Sequence, residues 1–164
     1  RLRVLAGGGL TFNGDTAAAN ALDDYEEGTW TPSYTGASSN PTVTYITPIG
    51  RYVKVGQIVS ASFRINTNGV SGGSGSLFVS GLPYAAETVS NMFFSMLVGY
   101  SASFGGNAPQ SGFLTSGGSS IQLLTNSATS SRSQLATGID ITDLNTASGA
   151  TYNDIIAHIT YRTA

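Results

Sequence analysis

The chain has 164 residues, only 10% of them charged, with a net charge of −2, a single lysine (Lys54) and no cysteine. That balance excludes nucleic acid as the partner, because phosphate binding needs clustered Lys and Arg. It also excludes disulfides, thiolate metal sites and cysteine nucleophiles. The length suits one domain plus a short extension, with a sizeable core.

The Tyr, Phe, Val and Ile content sets the body apart from a disordered linker. Low charge with many hydroxyl side chains suits an extracellular all-β protein packed against copies of itself. Small secreted domains often need disulfide staples. Without them, stability is expected from burial between subunits. No window approaches 18 continuous apolar residues, so no helical membrane span is expected. The start, Arg1-Leu2-Arg3-Val4-Leu5, lacks an initiator Met and an apolar signal core, and reads as the middle of a longer chain.

In chain order, Leu2 and Val4, then Leu10 and Phe12, alternate about a glycine run, which predicts two short strands and a turn. Such a ribbon is marginal alone, so its expected role is the last rung of a trimeric shaft. Residues 16–25 are the one helix candidate. Asp15 or Thr16 is the N-cap, the Ala-rich run 17–22 favours helix, and Gly28 is the terminator. Asp23, Asp24, Glu26 and Glu27 then fall at the helix C-terminus, where the dipole disfavours anions. A compensating cation is expected there, with Arg1, Arg3 or Arg51 of a neighbouring subunit as one candidate.

From Thr29 onward the pattern is β. Strands are predicted over 29–35, 42–47, 51–55, 58–66 and 77–80, with a Gly/Ser loop at 68–76. The longest apolar run, 91–104, is expected to be a central strand buried on both faces and bent at Gly99. A hairpin about Gly117 and Gly118 joins 112–116 to 121–125, and polar loops cover 105–111 and 126–134. Residues 138–144 are ambiguous. Residues 152–162 form the closing strand, with Ile155, Ala157, Ile159 and Tyr161 on one face and Ile156, His158 and Thr160 on the other. Short strands with polar turns at this spacing predict an antiparallel β-sandwich or jelly roll. The expected units are a connector over 1–28 and a sandwich over 29–164. No fixed period suggests a repeat fold.

One stretch, Leu22-Asp23-Asp24-Tyr25-Glu26-Glu27-Gly28-Thr29-Trp30-Thr31-Pro32, resembles a segment of bacteriophage tail-fibre and tail-tip proteins. There it joins a fibrous shaft to a C-terminal β-rich domain. Three later stretches match in the same order: Gly50-Arg51-Tyr52-Val53-Lys54-Val55-Gly56, Ser80-Gly81-Leu82-Pro83, and the closing Tyr161-Arg162. The resemblance covers most of the chain from Leu22 on. It implies a homotrimeric, receptor-binding virion component, made in the host cytoplasm and attached to upstream fibre or tail proteins. Trp30 is then expected to be a packing anchor at the shaft junction.

Catalytic chemistry has little to build on. A glycosidase needs two carboxylates about 5–5.5 or 6.5–9.5 Å apart across a sugar groove. Asp23, Asp24, Glu26 and Glu27 are instead sequence neighbours on a connector, and they lack the Ca²⁺-loop spacing. His158 is the sole histidine, so a His-based zinc site within one subunit is excluded. It reads as a hydrogen-bonded wall residue, or alternatively as one of three on a trimer axis holding a metal or anion. No Gly-x-Ser-x-Gly elbow is read together with an acid and His158 as a triad, and Gly72-Gly73-Ser74-Gly75 lacks the Lys and the following helix of a phosphate loop. Cofactors and metals are not expected.

Binding remains. Loops carry function more often than strands, and glycans are held by aromatic faces and by amide, hydroxyl and guanidinium groups. The loop-borne candidates are Tyr84, Phe104, Asn107, Gln110, Asn126, Arg132 and Gln134. The expected function is non-enzymatic adhesion of a tail-fibre tip to a host surface polysaccharide or outer-membrane protein. The alternatives are a structural trimerisation or decoration domain without its own receptor site, and a depolymerase with its active site between chains.

Overall fold

The computed structural model describes residues 1–6, 9–17, 22, 24–127 and 135–164. The chain is all-β, built from two separate antiparallel sheets. In the first, β1 (Leu2–Val4) and β2 (Leu10–Phe12) form the predicted ribbon, with Leu2 opposite Phe12 and Val4 opposite Leu10. These four side chains share one face of the ribbon, because period-two alternation puts residues two apart on the same side. Leu2, Val4 and Phe12 stay more than half exposed.

The second sheet has eleven strands. They are β3 (Tyr25–Trp30), β4 (Ser33–Gly36), β5 (Thr42–Tyr45), β6 (Ile49–Val55), β7 (Ile58–Ser71), β8 (Leu77–Ser80), β9 (Phe93–Ala102), β10 (Ser111–Thr115), β11 (Ser120–Ser127), β12 (Leu135–Gly138) and β13 (Tyr152–Arg162). Neighbours run β3-β6-β7-β13-β9-β10-β11-β8-β4, with β5 on the far half of β7 and β12 on the far half of β11. A short 3-10 turn, Ile141–Asp143, precedes β13.

The two ends of this path, β3 and β4, are consecutive in the chain and separated only by Thr31 and Pro32. Every step along the path is antiparallel and the number of steps is even, so β3 and β4 run in the same direction. They are two halves of one strand, the first pairing with β6 and the second with β8. The sheet therefore curls until its ends meet at Thr31 and Pro32. Pro32 has no N–H to give a ladder, which suits a break in pairing. Gly81 lies against this seam with a φ of +98°, and a Cβ there would fall 2.5 Å from the Thr31 carbonyl oxygen.

The inner face of the curl is the core. Strand β13 shows the cause most plainly: Ile155, Ala157, Ile159 and Tyr161 are buried while Ile156, His158, Thr160 and Arg162 are exposed. Val59, Ala61, Phe63 and Ile65 of β7 meet them from the neighbouring strand, and Leu114, Ile121 and Leu123 from across the curl. Each large aliphatic side chain so buried stabilises by about 1.5–3 kcal/mol. Tyr161 enters the core with its hydroxyl satisfied, donating to the Tyr84 carbonyl at 2.9 Å.

Several expectations are corrected. The helix over 16–25 does not form among the described residues: Leu22 bridges to Leu10, and Tyr25 opens β3. Ala18–Ala21 and Asp23 of that stretch lie outside the described residues. Gly28 is the middle of a strand, so the sheet begins at Tyr25 rather than Thr29. Local helix propensity is a weak prior, and here it is overridden by six consecutive pairs with β6. Strand β7 continues through Gly69 to Ser71 because β5 pairs with it there, and the Gly/Ser loop is correspondingly shorter. Strand β9 is interior to the sheet but buried on one face only, with Phe93, Leu97 and Tyr100 turned outward. A register shift opposite Gly99 moves Tyr100 to that side.

Candidate functional site

Two of the stretches singled out in the sequence, residues 22–32 and 50–56, are cross-strand partners. In the β3–β6 pair, Glu26 lies opposite Lys54, Gly28 opposite Tyr52 and Trp30 opposite Gly50. On the inner face each glycine is covered by the aromatic ring across from it: a Cβ at Gly28 would meet the Tyr52 ring at 2.8 Å, and one at Gly50 the Trp30 indole at 2.5 Å. Trp30 then packs edge-on against Phe63, with centroids 5.5 Å apart.

Two of the four clustered acids, Asp24 and Glu26, are engaged at the same pair of strands. The Tyr52 and Tyr84 hydroxyls both donate to the Glu26 carboxylate, one to each oxygen. Their donation holds the Glu26 carboxyl below its ordinary value and pushes the Tyr84 phenol up. Lys54 pairs with Asp24 and sits 5.5 Å from the Tyr84 ring centroid. Asp24 and Glu26 thus find their compensating groups within the chain. A carboxyl held ionised by two phenols is the opposite of the raised, protonated acid that glycoside hydrolysis requires.

The outer side of the same strands bears a shallow groove of about 420 Å³. Its side chains are Glu27, Thr29, Arg51, Val53, Ser60 and Ser62, from β3, β6 and β7. Two cross-strand rows order it: Thr29–Arg51–Ser62, continuing to His158, and Glu27–Val53–Ser60, continuing to Thr160. A guanidinium, a carboxylate and three hydroxyls around one aliphatic side chain can hydrogen-bond a polyhydroxylated ligand from several directions.

Ser62 and His158 are 3.1 Å apart (Oγ to Nδ1), within reach of a nucleophile–base pair. The other ring nitrogen, however, faces the Thr160 hydroxyl at 3.1 Å rather than a carboxylate. The flanking backbone amides are engaged in the sheet ladder, which leaves no donor pair to hold an oxyanion. His158 is thus hydrogen-bonded to Ser62 and Thr160 on the outer wall of the sheet.

The sequence candidates divide between two places. Phe104, Asn107, Gln110 and Asn126 gather where β9 leads into β10 and β11 ends. Asn107 is anchored, its backbone and side-chain N–H groups donating to Asp143 Oδ1 at 2.8 and 3.1 Å. Gln110 Oε1 accepts from the Asn126 N–H at 3.1 Å. Phe104 is half-buried against the core. Tyr84 is remote from these. It is held beside Tyr161 and Glu26, whereas the Phe104 loop is held by Asn153 through the Ser103 carbonyl. The span from Asn153 to Tyr161 along β13 is roughly 27 Å. Arg132 and Gln134 lie outside the described residues.

Set against protein-family profiles, curated proteins and solved structures, the chain matches none. The site is read from its own chemistry. The groove residues were open to sequence reasoning only through the alternation of Arg51 with Val53 and of Ser60 with Ser62. Nothing local shows that these two pairs, together with Glu27 and Thr29, share one face.

Among the described residues, no group of three His, Cys, Asp or Glu side chains is placed to hold a metal ion.

Proposed function

We propose that the chain is the receptor-binding tip of a bacteriophage tail fibre, a homotrimeric virion component that adheres to a bacterial surface polysaccharide without cleaving it. The observation that carries this reading is the convergence of the recognised stretches. Trp30 over Gly50, Tyr52 over Gly28, Gly81 against Thr31 and Tyr161 on Tyr84 form one contiguous unit at the seam of the curl. Stretches that resemble a family's segments in order and also pack on one another are less readily a chance resemblance. In this reading the two halves of the curled sheet face each other as a β-sandwich, and the β1–β2 ribbon is the end of the shaft. The partners are copies of the chain, upstream fibre or tail proteins, and the host glycan, with an outer-membrane protein as the alternative receptor.

The ligand site favoured is the groove around Arg51, because it combines hydroxyls, a guanidinium and a carboxylate on rigid strands. Trimerisation would then raise weak single-site binding by avidity. The second reading, a structural trimerisation domain, is favoured by the uncovered ribbon face of Leu2, Val4 and Phe12.

The test is a bacterial glycan array probed with the wild-type chain and with Arg51→Ala, beside its mass from light scattering. A mass three times 16.8 kDa with glycan signals that Arg51→Ala weakens about tenfold, as for the loss of one charged hydrogen-bonding group, supports the tip reading. A trimer that binds no glycan and adsorbs to no host supports the structural one. Release of reducing sugar from host polysaccharide would instead establish a depolymerase.

A further inference from the structure

The outer face of β13, β9 and β10 is unlike the wet side of an antiparallel sheet, which is normally polar at alternate positions. Ile156 lies opposite Tyr100, His158 opposite Leu97, and Ser95 opposite Phe113. Leu97 is 71% exposed, Phe93 61%, Tyr100 49% and Ile156 44%, and Phe93 and Phe113 stack edge to face at 5.6 Å. These strands are interior to the sheet, so the exposure is not that of a frayed edge.

We infer that this face is a self-association surface whose occupant is a second copy of the chain. Three features select a copy over a foreign partner. First, the two charged side chains of β13, Asp154 and Arg162, are both paired, and β9 and β10 carry none. Arg64 is held by Asp154 through two hydrogen bonds of 2.9 and 2.7 Å, and Arg162 is held by Glu87 at 3.2 Å. A surface meeting its own copy must avoid like-charge contacts, which cost several kcal/mol. Second, the polar groups on it or at its edge, Ser62, Ser95, His158 and Thr160, can each donate or accept, so they can be satisfied by the same kinds of group on a copy.

Third, the four exposed apolar side chains present on the order of 500 Å². That is at the upper end of patches on monomers and most of the ~800 Å² that each partner of a standard interface buries. The ribbon repeats the pattern, leaving Leu2, Val4 and Phe12 uncovered. Because Ser62 lines the groove and bonds His158 on this face, the groove lies along the edge of the proposed contact. The inference rests on the self-assembly part of the reading above and not on its ligand.

The test is the full chain with Leu97→Asp, against Val89→Asp as an exposed apolar control outside this face. Mass is followed by light scattering across a dilution series, and folding by circular dichroism. Wild type and Val89→Asp are expected to be multimeric. Leu97→Asp is expected to associate about a hundredfold more weakly or worse, since each copy would desolvate a carboxylate. In case Leu97→Asp fails to fold, Leu97→Cys in this cysteine-free chain reports the same face. Its thiol is expected to react slowly with a maleimide when concentrated and quickly when diluted.

A folded Leu97→Asp multimer with a wild-type dissociation profile would overturn the assignment of this face while leaving self-assembly standing. So would a Leu97→Cys thiol that reacts as fast as Val89→Cys in the multimer. A wild-type chain that stays monomeric at every concentration would overturn the inference and self-assembly together. Glycan binding by Arg51 is tested separately, so these failures are distinguishable.

Discussion

The Trp30 indole lies over the Cα of Gly50, its cross-strand partner, so closely that a Cβ at position 50 would fall 2.5 Å from the ring. The ring is buried and its edge abuts Phe63, the partner of Gly50 on β7, so it has little room to shift. Gly50→Ala is therefore expected to destabilise by about 2–3 kcal/mol, as overpacking does. Gly28→Ala, facing the end of the more exposed Tyr52 side chain, should cost less than half as much. Denaturant midpoints for the two variants check the order. Equal costs would mean that Trp30 is not the fixed member of the pair.

The Arg64–Asp154 pair is asymmetric: the Asp154 side chain is 8% exposed and that of Arg64 is 48%. Losing the exposed partner strands a buried carboxylate, whereas weakening the carboxylate leaves a guanidinium that water can still reach. Arg64→Ala is expected to destabilise more than Asp154→Asn, whose amide oxygen still accepts one hydrogen bond. Chemical denaturation of both decides the matter. A larger loss in Asp154→Asn would contradict this account.

What the residues disclosed in advance followed from local periodicity. Strand β13 was legible to its last alternating residue because Ile155, Ala157, Ile159 and Tyr161 keep strict period two. The Gly117 turn was legible because glycine supplies the positive φ, here +69°, that the hairpin needs. Closure was not legible, because it depends on Thr31 and Pro32 letting one strand serve both edges, a pairing decided by distant β6 and β8. Residues Tyr25 to Gly28 were misread for the same reason: their strand state comes from Tyr52 and Lys54, not from their own propensity. The loop candidates were chosen by composition. The Arg51 groove was not, since its side chains come together only in register.

Glu26 gives the chain a pH signature at both ends of the scale. Hydrogen bonds from Tyr52 and Tyr84 hold its carboxyl below 4.5 in the folded state. Its contribution is therefore present above the ordinary value and is lost as pH falls through the lowered one. The two phenols are raised above 10 by the same carboxylate. Their contribution is present below 10 and is lost as pH rises through the raised values. Glu26→Gln should flatten both limbs of a stability–pH curve and return two tyrosines toward ordinary titration. Phenolate absorbance measures this directly, and an unchanged alkaline titration would rule out the shared hydrogen bonds.

Asn153 is the polar counterpart of Trp30. It is fully buried with a φ of 50°, in the left-handed region where Asn is tolerated far better than most residues. Its Oδ1 accepts from the Asn145 N–H at 2.7 Å, and its Nδ2 donates to Thr67 Oγ1 at 2.8 Å and to the Asn145 carbonyl at 2.9 Å. The backbone carbonyl accepts from the Tyr34 hydroxyl at 2.9 Å, and the N–H donates to Ser103 at 3.2 Å. One residue thus fixes the bulge opening β13 and the loop that leads to Phe104 and Asn107. Asn153→Gly keeps the backbone conformation and loses only the side-chain bonds, whereas Asn153→Ala loses both. The expected costs are about 2 kcal/mol for Gly and about 3 kcal/mol for Ala. Hydrogen exchange should show the loop at Asn145 opening in each, and the 103–110 loop opening in Asn153→Ala alone. If Ala were tolerated as well as Gly, the left-handed backbone would not be the constraint at this position.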